Sequence, residues 1–561
     1  MGSQNLSVFV NSSERLKFRI AANVTDRDRT QSDIYFYTNP VGYHPVDSVA
    51  VYGSDPKKMF SNPKKAIKAM GATGLVSYRL NDNIRFDLTA GLQKSSAIIT
   101  GMEIFFFAHT ERVSNSQFFN LQTKIYDFDI HLDHAWGRDD IVKGLPGMSA
   151  GRSTTNLNVE YKKHWNNLMF NAGLAAVYNS LKENPAGSFY KGTQTLYSWS
   201  PNIHLDYQAT EKLRLIAGIR LENNKIPTKP YLTWQLVGSY KFSENSILRA
   251  VYSRANRSPF MLDMNFDSSV AMKTNPTNTR WTDVYMEGDK KLKLVVADMV
   301  EAGYRQKIGK HILVTLELFH SQVSGYNAPV MKEFGAWIDF TDLDAAAVLA
   351  GKMPTVSYAK LYYNFQNIPE KQMQTGGTAG LGIVVDGLSF RLWGTLQQTT
   401  TQNHNINPAT MKQMGDLLGA DVYPYMVAIA LGLPKPPMKY DKGNGYFLVT
   451  NDDISPNYVN TTSKSTPSFY GGYEVNWRFI KHFSLFSSGY TYSRHEFSDR
   501  LSDQTFPIHA KLLMNGKIAY HFQESNQLFL SVNNILNATD TEYGFLDRTG
   551  MQIVVGLNVK F

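Results

Sequence analysis

The sequence predicts an all-β chain rolled into a transmembrane antiparallel β-barrel, and three observations carry that prediction. The last stretch alternates: Met551, Ile553, Val555, Leu557, Val559 and Phe561 are apolar, and Gln552, Gly556, Asn558 and Lys560 fill the gaps, with Val554 the one exception. Successive strand side chains point to opposite faces, so this strand has one apolar face. Its length suits the ~9–11 residues of a tilted membrane-crossing strand. The same pattern recurs along the chain around short polar turns. Those turns alternate with long connections, some of roughly 35–45 residues, too long for a compact soluble domain.

The first hairpin sets the unit. Leu6, Val8 and Val10 alternate with Ser7 and Phe9 up to the turn Asn11-Ser12-Ser13-Glu14. Leu16, Phe18, Ile20, Ala22 and Val24 then alternate with Lys17, Arg19 and Asn23. Turns at Asn81-Asp82-Asn83, Lys124 to Asp127, Lys162 to Asn167 and Gln208 to Lys212 repeat the unit. Others fall at Lys241 to Ser246, Lys307 to His311, Val385 to Gly387, Trp477 to His482 and His521 to Gln527. Ten short turns flank twenty strands and the C-terminal strand makes twenty-one. Single-chain bacterial barrels have an even strand number. The arithmetic predicts about 21 strands of a 22-stranded parent whose first strand is missing here.

Composition agrees. Aromatic residues make up 13% of the 561, and Gly numbers 40. Mean hydropathy is −0.30, and no run of about 18 apolar residues offers a helical span, a test that a barrel evades because only alternate residues face lipid. Cys is absent, which suits an exported bacterial protein and excludes disulfide scaffolds and thiolate metal sites. The net charge of +9 is spread along the chain; solvated turns and a polar lumen account for it better than a nucleic-acid surface does. Met1-Gly2-Ser3-Gln4-Asn5 leads straight into a strand pattern without a signal peptide. An outer-membrane protein needs one, so the reading is a fragment or a replaced start.

Three long loops carry helix punctuation, near 55–71, 341–351 and 407–433. Asn62-Pro63 opens Lys64 to Met70 and Gly71 closes it, an N-cap, a Pro at N1 and a Gly at C′. Thr341 is placed to cap Asp342 to Ala350 before Gly351. Asn407-Pro408 opens the third, with Met411, Met414, Leu417 and Leu418 on one face. Such helices are expected to pack loops over the barrel mouth.

Catalytic signatures are rejected. Gly147-Met148-Ser149-Ala150-Gly151 matches G-x-S-x-G, but a strand follows where a nucleophile elbow needs a helix. Gly151-Arg152-Ser153 lacks the lysine and spacing of a phosphate loop, and no H-E-x-x-H occurs. Asp127, Asp129, His131 and Asp133 alternate with Phe128, Ile130 and Leu132, which predicts that all four face the lumen. Such a row could bind a cation; hydrogen bonding to water or to a lumen-filling segment is the plainer expectation. No metal and no cofactor is assigned.

Local motifs then resemble one family. Tyr252-Ser253-Arg254-Ala255-Asn256-Arg257-Ser258-Pro259 is similar to the Y-[AS]-R-A-F-R-A-P segment of TonB-dependent receptors. Gly288-Asp289-Lys290-Lys291-Leu292-Lys293 through Val300-Glu301-Ala302-Gly303-Tyr304-Arg305 resembles their G-N-P-x-L-K-P-E…E-x-G-Y-R element, with Leu294 and Val295 in place of its Pro and Glu. Ser531-Val532-Asn533-Asn534-Ile535-Leu536-Asn537, followed by Glu542-Tyr543-Gly544, resembles V-x-N-L-F-N.

The resemblance implies an integral protein of the bacterial outer membrane, not an enzyme, that imports a scarce nutrient, first of all an iron chelate. A passive diffusion pore, or another outer-membrane barrel with no energy coupling, is the alternative. It implies outer-membrane lipid, a small-molecule nutrient, the barrel-assembly machinery and TonB as partners, and no nucleic acid. Val555, Leu557, Val559 and Phe561 would form the C-terminal signal that the assembly machinery reads. In the family an N-terminal plug fills the lumen and contacts TonB; neither plug nor TonB-binding segment is found here, so residues 1–561 are expected to be barrel alone. Arg254 and Arg257 would then face the lumen and meet a plug carboxylate or an anionic ligand.

Overall fold

The structure is a computed structural model. It describes residues 2–559 except 12, 30–34, 39–41, 46–59, 61, 103–105, 145–148, 184–191, 274–280, 500–503, 524–525, 541 and 543–547.

Twenty-one strands form one antiparallel wall in chain order. They are β1 Gly2–Asn11, β2 Leu16–Asp28, β3 Lys65–Asn81, β4 Ile84–Met102, β5 Phe106–Ile125, β6 Phe128–Gly144 and β7 Ala150–Trp165. Next come β8 Leu168–Glu183, β9 Thr193–Gln208, β10 Leu213–Asn224, β11 Tyr231–Ser243, β12 Ser246–Arg257, β13 Val295–Ile308 and β14 Ile312–Ser324. The last are β15 Lys371–Val385, β16 Leu388–Asn405, β17 Phe469–Ile480, β18 Phe483–Tyr492, β19 Lys511–Gln523, β20 Asn526–Asn533 and β21 Gln552–Asn558. With three short loop strands they make a 24-stranded sheet. Among the described residues β1 pairs with β2 and β21 with β20, and no ladder joins β1 to β21.

The ten short turns lie on one rim. Nine backbone hydrogen bonds of 2.7–2.9 Å chain each turn to the next, from Arg79 N–H on Arg15 carbonyl through Tyr126 on Asn83 to His521 on His482. Left-handed backbone at Tyr126, Asn166, Gly387 and His482 closes several of them tightly. The long connections therefore share the other rim.

Register fixes the two faces. Leu528 opposes Leu557, Leu530 opposes Val555 and Val532 opposes Ile553, and Val555 is 72% and Leu557 61% exposed. Across the wall Leu88, Leu92, Leu174, Ile203, Leu215, Leu236 and Leu316 are exposed in the same way. Apolar side chains left bare in one continuous belt are what a lipid-facing wall requires. Polar residues alternate behind them.

The punctuated loops depart from expectation in part. Lys65–Met70 is strand, the start of β3, and not helix. Its residues ladder with β2, Lys68 opposite Asp26 and Met70 opposite Val24, so two flanking strands override a local helix signal. Residues 55–59 and 61 lie outside the described residues. Helix α1 spans Met261–Asn265. In the next loop α2 covers only Ala345–Leu349, capped by Asp344, whose side chain accepts from Ala347 N–H. Thr341 instead hydrogen-bonds Asp339. Helix α3 runs Met411–Leu431, capped by Thr410 three residues after Asn407 and closed by Gly432 in left-handed backbone. Asn407 braces it from outside by accepting from Gln413.

Three of the long connections build a folded cap. A five-stranded sheet in the order Asp267–Lys273, Trp281–Glu287, Thr355–Asn367, Asn327–Asp339, Tyr446–Thr450 draws strands from all three. Met286, Leu361, Met331 and Phe447 on one face pack against Met264 of α1 and Met414 of α3. Met414, Leu418, Val422 and Met426 recur every four residues, one buried stripe of α3. This is the principal hydrophobic core among the described residues.

Candidate ligand site: the lumen wall and the cap

The start of the second quoted motif clamps α1, which follows the first in the chain. Gly288 N–H donates to Phe266 carbonyl at 2.7 Å and Asp289 N–H to Asp263 carbonyl at 3.0 Å, clamping α1. A Cβ on Gly288 would stand 2.6 Å from the Met264 carbonyl carbon, so only glycine permits the approach. The third motif is architectural as well. Asn534 and Asn537 adopt left-handed backbone, Asn534 donates to Ala538 and Thr549 carbonyls, and Asn537 receives Met551 N–H at 2.9 Å. Glu542 meets the buried Lys511 at 3.1 Å; Tyr543 and Gly544 lie outside the described residues.

The structure splits the predicted acidic row. Asp129, His131 and Asp133 share the face opposite the apolar belt. Asp129 pairs with Lys162 at 2.8 Å, which also holds Glu160 at 3.1 Å, and Asp133 accepts from Asn120. His131 lies between Gln122 and Asn158 in the ladders. Asp127 leaves the row. It sits in the turn between β5 and β6, where strand parity no longer applies, and pairs at 2.7 Å with Lys163, which shares the belt side with Leu157. Among the described residues, no three His, Asp or Glu converge as a metal-holding group.

Arg254 is also displaced from its expected place. Residues three apart in a strand face opposite ways, so Arg254 and Arg257 cannot both be inward. Arg254 shares the outward face with Leu248 and Tyr252, forks onto Asp298 at 2.6 and 2.8 Å and lies 4.7 Å over the Trp234 ring. Arg257 takes the inward parity and stacks 4.7 Å over Phe260. Val555, Leu557 and Val559 stand exposed on the last strand and its end; Phe561 lies outside the described residues.

The inward wall is polar and largely paired with itself. Arg214 reaches Asp206 at 2.8 Å, Arg85 reaches Asp87 at 2.8 Å, and Arg249 lies between Glu301 and Glu317. One inward patch is aromatic instead: Trp393 with Tyr470 and Tyr490, centroids 5.9 and 6.2 Å apart.

The cap sheet has a second face. Tyr285 opposes Tyr362, and Trp337 opposes both Tyr358 and Tyr446, with ring centroids 5.3, 5.0 and 4.3 Å apart. Tyr285 donates its hydroxyl to Asp267 at 3.1 Å, Tyr358 to Asp283 and Tyr362 to Glu287. Burial, with the hydrogen bond to Asp283, pushes the Tyr358 hydroxyl up to about 12; burial and Glu287 push that of Tyr362 up further. Donors are thereby consumed within the sheet, and the face offers ring surfaces and carboxylate acceptors, a chemistry that suits donor-rich or cationic groups. Sequence reading missed this sheet because its strands come from three separate loops; the alternation of Val284 and Met286, Leu361, Tyr363 and Phe365, and Phe447 and Val449 was the available signal.

A lipid-facing belt, a single rim of short turns and a cap on the opposite rim define an outer-membrane β-barrel of the receptor kind. The chain belongs to the TonB dependent receptor-like, beta-barrel family, whose model matches residues 17–535, and is accordingly an integral protein of the Gram-negative outer membrane. Solved structures with the same fold include the siderophore receptor PirA from Pseudomonas aeruginosa, 12% identical with a TM-score of 0.59, covering 99% of this chain and 76% of that one. A ferric enterobactin receptor (PfeA) mutant from the same organism is 13% identical with a TM-score of 0.62, covering 95% and 72%. The FrpB iron transporter from Neisseria meningitidis is 11% identical with a TM-score of 0.62, covering 100% and 79%. A search of curated proteins finds no matching sequence.

Proposed function

We propose that this chain forms the barrel of a TonB-energised receptor that imports a scarce nutrient across the outer membrane, with an iron chelate as its ligand. The observation that carries the reading is the family match over nearly the whole barrel, joined to a folded cap with its own core on the long-loop rim. The iron and siderophore receptors among the similar folds support the ligand class. In this reading the ligand arrives over the cap, where the Tyr–carboxylate face lies, and passes the inward wall that carries Asp129, His131, Asp133 and Arg257. A plug inside the lumen transmits the pull of TonB.

The test is uptake of labelled ferric chelates by cells lacking the gene and by cells complemented with it. Restored uptake that collapses when the proton-motive force is dissipated is the expected result. Leakage of unrelated small solutes, indifferent to energisation and to chelate, would overturn the proposal in favour of a passive pore.

A further inference from the structure

Strand Asn327–Asp339 of the cap sheet sets three residues in a line. Phe334 and Ala336 pack into the cap core, so Glu333, Gly335 and Trp337 share the opposite face. Trp337 lies across from Tyr358 on one neighbouring strand and Tyr446 on the other, and Glu333 lies across from Tyr362 and Thr450. A Cβ on Gly335 would stand 2.6 Å from the Tyr446 hydroxyl and 3.0 Å from its ring. That ring therefore covers the glycine, between the indole and the carboxylate. Trp337 is 37% exposed, and its ring meets that of Tyr446 at 4.3 Å with a tilt of 38°. The three make a shelf with Tyr446 as floor, Trp337 as wall and Glu333 at the open end.

The other carboxylates of this face are engaged. Asp267 holds the hydroxyl of Tyr285, Asp283 that of Tyr358 and Glu287 that of Tyr362. Glu333 differs: it has no hydrogen-bond or ion-pair partner among the described residues. Its charge is felt on the shelf, because burial first and then Glu333 push the Tyr446 hydroxyl up.

Two ammonium groups belong to the same face or its edge. Lys332, in the bulge beside Glu333, donates to Gln366 at 3.0 Å. Lys360 is exposed and stands opposite Gly335 on one side and Asp283 on the other. Four carboxylates outweigh these two, so the face is net negative among the described residues. Ring faces are themselves negative, so beside an unpaired carboxylate they attract a cation and repel an anion.

On the reading of this chain as the barrel of a receptor for a chelate, we infer that the Trp337–Tyr446–Glu333 shelf selects ligands that carry an ammonium or guanidinium group. The cation lies over the Tyr446 and Trp337 rings, with Glu333 as its counter-charge. A neutral ring would cover the aromatic surface and leave the Glu333 carboxylate unanswered. An anionic one would meet four carboxylates. A chelate that fits this shelf is thus not a bare polyanion; it brings a positive arm.

The test is ligand-observed NMR on the purified protein in neutral-lipid bilayers, with choline and its uncharged carbon isostere, dimethylbutanol, as probes. Choline should bind the parent about tenfold more tightly than the alcohol. Glu333→Gln should weaken choline about fivefold and leave the alcohol unchanged. Trp337→Leu should weaken choline about fivefold. Asp416→Asn, on the exposed flank of α3, should bind as the parent does. Protease resistance of 411–431 checks the cap in each variant, and Glu333→Gln decides alone if Trp337→Leu loosens it. Equal binding of choline and the alcohol, choline binding unchanged in Glu333→Gln, or benzoate binding as tightly as choline overturns the inference. Binding to the purified protein needs no TonB, which separates this result from the transport reading. Choline selectivity without energised chelate uptake would sink that reading and support this one; uptake without choline selectivity would do the reverse.

Discussion

Val554 and Val555 are adjacent, identical in chemistry and opposite in facing, which makes them a stringent test of the wall. Val555 opposes Leu530 and is 72% exposed on the belt side, while Val554 opposes Ser531 on the inward side. Leu530 lies four residues from the turn-side end of β20 at Asn526, so Val555 sits near the middle of the apolar belt. Arginine on the lipid face costs about 2–4 kcal/mol at the bilayer midplane, against at most about 1 kcal/mol where a side chain can reach water. Val555→Arg should therefore weaken folding into lipid vesicles by roughly 30- to 800-fold in equilibrium constant, at 1.36 kcal/mol per factor of ten. Val554→Arg, projecting into a lumen already lined with charges, should shift it little. The assay is a urea titration of folding in vesicles, followed by tryptophan fluorescence and by gel mobility without heating. Comparable losses for the two variants, or a larger loss at Val554, would refute the assigned facing and with it the lipid belt.

Three further outcomes concern the cap. Met414→Ala, at a fully buried position of α3, should cost the cap about 2–5 kcal/mol, opening 411–431 to protease while barrel gel mobility is unchanged. Gly288→Ala sets a methyl 2.6 Å from backbone that cannot yield, and about 1–3 kcal/mol of overpacking should release α1, read as faster hydrogen exchange over 261–266. The Lys439–Asp453 pair, 2.9 Å apart, holds the Asp453 carboxyl below its ordinary value through that hydrogen bond and one from Thr450 N–H, and the Lys439 ammonium above its own. The lowered carboxylate contributes stability above about pH 4 and loses it as pH falls through the folded value; the raised lysine contributes below about pH 10 and loses it as pH rises. Protection over 439–454, taken relative to intrinsic amide exchange at each pH, should accordingly be greatest between those limits, and Asp453→Asn should flatten the acid limb and weaken the alkaline one, since Asp453 is also the main partner that raises Lys439.

How legible the sequence is depends on which physical rule governs each residue. The period-two pattern is imposed by lipid on one side and water on the other, so turns such as Asn81-Asp82-Asn83 and strands such as β21 can be read directly. Lys64 to Met70 carries sound helix punctuation, yet β2 and β4 offer ladder partners on both sides and the local signal loses. Asp127 and Arg254 show a subtler limit. Parity stops at a turn and reverses over three residues, so a residue type that suits a lumen is no guide without the register that places it. The cap sheet is the least legible part, because its pairing of Trp281–Glu287 with Thr355–Asn367 joins strands about seventy residues apart, and no local pattern announces which loop will meet which.

The division between barrel and cap follows from where apolar surface can go. In the wall, leucines and valines remain bare and find lipid, so the hydrogen-bonded ladders hold the strands together and the lumen is free to be polar. Paired charges such as Lys162 with Asp129 and Glu160 can line it because the wall does not need an apolar interior. The cap stands in water and has no lipid to cover its apolar residues, so it must bury Met264, Leu361, Met414 and Phe447 against one another. That burial takes strands from three loops at once, which ties their movements together. Whatever docks on the Tyr–carboxylate face therefore meets one body rather than three separate loops. A change in how that body packs need not disturb the wall, whose stability lies in its hydrogen-bonded ladders and its lipid-facing belt.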